Sequence, residues 1–160
     1  MDIFTLIDTF NNSGEISNVN AKQLQSDNEA RVKLSIHIRE NNNHAFAVCL
    51  LKTFIHLRRN PENKIGIEEL MFASYLVTFH QKIEDCLLIW EAKTVDFDAY
   101  CGVDIQLVPF AGVKETIAFL ENQKSEKSKK ALEYVLNCNE AGDFDILEEY
   151  YSKEKIPWWV

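Results

Sequence analysis

Residues 31–39, Arg31-Val32-Lys33-Leu34-Ser35-Ile36-His37-Ile38-Arg39, decide the fold class. Val32, Leu34, Ile36 and Ile38 alternate with polar side chains, the period-two pattern of a strand with one buried face. A strand needs a pairing partner, and an isolated hairpin is marginal in water. No other segment alternates as cleanly. The run that follows, Ala45 to Arg59, puts Phe46, Cys49, Leu50, Phe54 and Leu57 at helical spacing. The reading therefore favours a helix over about Asn20 to Glu40, paired with its successor through Asn41-Asn42-Asn43 as a helical hairpin.

The rest of the 160 residues, with only 5 Gly and 3 Pro as punctuation, reads the same way. Ile3, Phe4, Ile7 and Phe10 make a short amphipathic opening helix that Asn11-Asn12-Ser13-Gly14 stops, and a polar loop follows. Asn60-Pro61 ends the helix begun at Ala45, since proline donates no backbone bond and pushes its predecessor out of helical geometry. A new helix starts near Ile67, runs through Leu70, Met71, Leu76 and Phe79, breaks at His80-Gln81-Lys82, and resumes through Ile83, Cys86, Leu87 and Trp90. Asp96 is placed to cap a helix through Tyr100, Val103 and Leu107, closed by Pro109 and Gly112. Val113 to about Gln123 forms the next helix. Ser125 opens another, with Gly142 as its left-handed stop, and Asp143 caps a last one through Leu147 and Tyr150. The expectation is an all-α single domain spanning 1–160, about nine antiparallel helices in a helical-hairpin array or short α-solenoid.

The charge balance narrows the partners. There are 17 Lys and Arg against 25 Asp and Glu, a net charge of −8, the wrong sign for nucleic acid or an anionic membrane. Residues 1–64 hold 8 bases and 7 acids, so the remaining 9 bases and 18 acids put the acidity in the second part of the chain. The four cysteines, at 49, 86, 101 and 138, form no CxxC pair and sit among apolar residues, which predicts reduced, buried thiols. No secretory leader or long apolar span is legible, so a cytoplasmic protein is expected.

Chemistry-bearing motifs are weak. Asp96-Phe97-Asp98 and Asp143-Phe144-Asp145 lack the glycine and terminal glutamate of a calcium loop and read as helix N-termini. None of the four histidines lies three or four residues from another, so no metal site is expected. There is no nucleophile elbow and no phosphate-binding glycine loop, so neither catalysis nor a cofactor is expected. Glu91, beside Trp90, is the one carboxylate whose burial would reopen an enzymatic reading; a structural ion pair is the plainer assignment. What stands out is acidity: six acids and no Lys or Arg from Ala131 to Tyr151, and six acids against Lys93 alone from Glu84 to Asp104. Adjacent indoles in Ile156-Pro157-Trp158-Trp159-Val160 must also dock, either on the last hairpin of the chain or on a partner.

Trp90-Glu91-Ala92-Lys93, Asp96-Phe97-Asp98, Cys101-Gly102-Val103-Asp104-Ile105-Gln106-Leu107, Thr116-Ile117-Ala118-Phe119-Leu120 and Gly142-Asp143-Phe144-Asp145 carry a resemblance. Over roughly Ile67 to Val160 the chain resembles small helical immunity proteins of bacterial polymorphic toxin systems. The resemblance implies a protein that binds a cognate toxin domain and blocks it. An acidic helical surface would suit the basic cleft of a nuclease or deaminase toxin. The expected contact residues are Glu91, Asp96, Asp98, Asp104, Asp143, Asp145, Glu148 and Glu149, with Trp158 and Trp159 as aromatic anchors. A helical-repeat adaptor binding a peptide or another host protein is the alternative, and gene neighbourhood separates the two.

Overall fold

The computed structural model describes residues 1–63, 65–152 and 157–160. Among these the chain is all-α and contains no strand: α1 (Ile3–Ser13), α2 (Asn18–Gln25), α3 (Asn28–Glu40), α4 (His44–Arg58), α5 (Ile67–Thr78), α6 (Cys86–Lys93), α7 (Phe97–Gly102), α8 (Val113–Glu121), α9 (Glu126–Ala141) and α10 (Leu147–Tyr150). Single 3-10 turns lie at Pro61–Asn63, Ile83–Asp85 and Ile105–Leu107. One contiguous core runs from Ile3 to Val160, and α4 with α5 and α8 with α9 form its most extensive helix pairs.

The deciding segment is helical. In α3 the inward face is Ala30, Arg31, Leu34, Ser35 and Ile38, at helical spacing, while Ile36 is 46 % exposed. Arg31 and Ser35 occupy inward positions, so the apolar residues alone imitate a strand. Arg31 is tolerated inside because it reaches Glu69 of α5 at 3.5 Å and Asn28 at 2.7 Å, and lies over the Phe72 ring. Glu69 in turn accepts the Gly66 amide at 2.7 Å and so caps α5.

Several expectations are corrected. The single helix expected from about Asn20 to Glu40 is two: Ser17 caps α2 through the Asn20 amide, and Asp27 separates it from α3 by capping Ala30. The helix opened by Asp96 ends at Gly102 and does not continue to Leu107. Gly102 is pressed against Ile67, and the Lys93 ammonium draws the Tyr100 and Val103 carbonyls out of any continuing helix, at 2.7 and 2.5 Å. Asp143 does not cap the last helix. It lies in the turn closing α9, where Gly142 is left-handed (φ 82°) and the Asp143 amide donates to the Cys138 carbonyl, while Ile146 precedes α10. Cys101 is exposed and Cys49 half-buried, against the expectation of four buried thiols. The ten α-helices among the described residues agree with the all-α expectation of about nine.

The break between α5 and α6 falls where the sequence places it. Gln81 adopts φ 52°, the one left-handed non-glycine residue among those described. The turn is tied back to the start of α4, where His44 Nε2 lies 2.6 Å from Asp85 and Lys82 Nζ 3.1 Å from His44 Nδ1. No helix among the described residues is long and apolar enough to cross a membrane.

Candidate functional site

The ten residues expected at a contact surface divide into two places. Glu91, Asp96 and Asp98 gather where α6 and α7 meet the end of α4. Asp96 caps α7 through the Ala99 amide and accepts two bonds from Arg58, at 2.6 and 3.1 Å. The Arg58 guanidinium holds its carboxyl below the ordinary aspartate value. Glu91 is bridged by Lys127 at 2.5 Å and Arg59 at 2.7 Å, and these two cations, Lys127 foremost, hold it down as well. That is the behaviour of a structural ion pair, opposite to the raised carboxyl of a general acid. Asp98 lies 3.9 Å from Arg58 and is 77 % exposed.

The second place is built by the last described segments. Tyr150 donates to Asp104 at 2.9 Å, Gln106 donates to the Asp143 carbonyl at 3.0 Å, and Tyr151 donates to the Gln106 carbonyl at 2.9 Å. Burial, then Asp104, pushes the Tyr150 hydroxyl above the ordinary tyrosine value, so it remains a donor. These bonds fix residues 143–151 across the 3-10 turn at Ile105–Leu107. Tyr151 stacks on Tyr75 of α5, and Trp159 meets Tyr75 edge-on at 5.3 Å. The indole pair therefore splits: Trp159 is 2 % exposed and Trp158 80 %. Trp159 docks internally, against Tyr75 of α5; Ile156 lies outside the described residues. Asp143, Asp145, Glu148 and Glu149 are exposed, as is Ile146. No described base pairs with Asp143, Asp145 or Glu148. The structure thus ties Asp104 and the segment from Asp143 to Tyr151 together, leaves Asp143, Asp145, Glu148 and Trp158 exposed, and neutralises Glu91 and Asp96 elsewhere.

Between the two places lies a feature that sequence reasoning missed. Trp90 of α6, Tyr100 of α7 and Tyr134 of α9 converge, with centroids 5.3 Å apart for both pairs involving Tyr134 and 6.5 Å for Trp90 and Tyr100. They wall a cavity of about 350 Å³ that Thr94, Lys130, Glu133 and Asn137 complete. Behind the rings, Lys93 is buried with its ammonium 5.6 and 5.5 Å from the Tyr100 and Tyr134 centroids. Burial draws its pKa below the usual lysine value, opposed by the nearby Cys138, Asp104 and Cys101. Burial also pushes the Tyr134 hydroxyl up to about 12. Tyr134 interacts with Cys138, and Cys138 with Asp143, which links the cavity to the acidic end. The three rings are 10 and 34 residues apart, a spacing with no motif value; only the packing of α6, α7 and α9 assembles them.

No family model matches the chain, and neither a curated protein nor a solved structure does.

Proposed function

We propose that this protein is a binding inhibitor that docks a basic protein partner, a toxin domain of nuclease or deaminase type, through the end of the molecule carrying Asp143, Asp145, Glu148 and Trp158. The observation that carries the reading is a set of exposed carboxylates unpaired with any described base, together with an indole, Trp158, that is 80 % exposed. Carboxylates in that state attract a basic surface at range and raise the association rate. The exposed indole of Trp158 supplies the desolvated anchor that slows dissociation. The resemblance to immunity proteins, which includes Gly142-Asp143-Phe144-Asp145, points the same way. Lys153 and Lys155, close by in sequence, lie outside the described residues.

The test is co-expression with the product of the adjacent gene, followed by binding kinetics at about 0.05 and about 0.3 M salt. The triple variant Asp143→Asn, Asp145→Asn, Glu148→Gln is expected to slow association roughly tenfold at low salt and to flatten the salt dependence. Trp158→Ala is expected to act on dissociation instead. Unchanged association and salt dependence in the triple variant would overturn acidic docking. Absence of any protection of cells against the neighbouring toxin would overturn the inhibitory role.

A further inference from the structure

Three rings converging on a cavity are the usual means of holding an alkylated ammonium. In the cavity walled by Trp90, Tyr100 and Tyr134 that role is already filled from behind. The Lys93 ammonium serves Tyr100 and Tyr134 at 5.6 and 5.5 Å, donates to the Tyr100 and Val103 carbonyls, and is not among the residues lining the cavity. A ring backed by a cation presents a less negative outer face. A second cation brought to that face would meet the like charge of Lys93 across a low-dielectric wall, while Lys130 and Glu133 at the rim offset one another. A neutral, electron-rich ring meets no such penalty and stacks on the same faces. The rim suits one that carries a donor, because Glu133 and Asn137 offer oxygens able to accept an indole N–H or a phenol O–H. At about 350 Å³ the cavity is at the small end of ligand pockets, which start near 300 Å³.

We propose that this cavity is a socket for a neutral aromatic side chain, tryptophan or tyrosine, presented by the protein partner, and that Lys93 makes it reject cations. The choice of a protein as the source rests on the binding role proposed above. It is supported by the continuity from Tyr134 through Cys138 to Asp143, and by Phe97, 79 % exposed one helical turn before Tyr100. The ring selectivity stands apart from that role and is measured with small probes, so either can fail alone.

The experiment titrates N-acetyl-tryptophanamide, N-acetyl-leucinamide and tetramethylammonium chloride separately into the isotope-labelled full chain, reading the amide resonances of Thr94, Tyr100, Glu133, Tyr134 and Asn137. The tryptophan amide is expected to produce saturable shifts at these positions, with the other two probes at least tenfold weaker. Lys93→Met, which keeps the stem and removes the charge, is expected to strengthen tetramethylammonium binding at least tenfold. Tyr134→Leu is expected to weaken the aromatic probe at least tenfold. Tetramethylammonium binding the native chain as well as the tryptophan amide, or no saturable shift with the latter, overturns the socket. A folded Lys93→Met chain that still rejects tetramethylammonium overturns the part assigned to Lys93; should that variant not fold, the three-probe comparison on the native chain decides the selectivity.

Discussion

Arg58 and Arg59 are consecutive, yet they serve different elements: one clamps the start of α7 and the other holds α6 with Lys127 of α9. Asp96 is the more exposed to loss because it does two things, capping the Ala99 amide and accepting the Arg58 fork. Asp96→Ala removes both and is expected to cost about 2 kcal/mol of unfolding free energy, read by urea denaturation. Asp96→Asn, which retains an oxygen for the cap, should lose about half of that. The pH dependence follows from the direction of the shift. The folded carboxyl titrates below its unfolded value, so its stabilisation is complete above the ordinary aspartate pKa of about 4 and drains away as the pH falls through the lower folded value. The gap between native and Asp96→Asn chains should therefore narrow on acidification below about pH 4.

At the scale of elements, the best-defined boundary is the end of α9, where Gly142 sits at φ 82° and a β-carbon would come 3.2 Å from Asp145. Gly142→Ala is expected to cost about 1–2 kcal/mol by urea denaturation. That boundary was legible because glycine after a helical run is a physical signal, and Ser125 as the α9 cap was legible for the same reason. The extent of α7 was not, since what stops it comes from Ile67 and Lys93, residues on other helices. The aromatic cavity was hidden likewise: Trp90 and Tyr100 read as inward-facing positions of separate helices, and nothing local says that both meet Tyr134. The acidic residues were individually visible, but their state of pairing was not. Arg58 and Arg59 lie 38 and 32 residues before the acids they neutralise, Asp96 and Glu91.

For the whole molecule, the contact between Tyr75 and Trp159 fastens the final described segment to α5, on which α3 also packs. Trp159→Ala should cost about 3 kcal/mol, as for a large core ring, whereas Trp158→Ala should stay within about 0.5 kcal/mol; paired thermal melts distinguish them. Helix α5 is thus a common seat for the tail and for α3, and loosening it frees both. Once released, residues 31–39 keep their alternating pattern, now with no inward face to bury Arg31 and Ser35. An extended chain with Val32, Leu34, Ile36 and Ile38 on one side offers an apolar face for intermolecular strand pairing, opposed by the like charges of Arg31, Lys33 and Arg39. The hazard of the stretch is therefore governed by how often α3 opens and by how well salt screens those three charges. Ile36, half exposed in the helix, gives a gatekeeper position: Ile36→Lys should leave the melting temperature nearly unchanged while delaying thioflavin-positive aggregation near the midpoint.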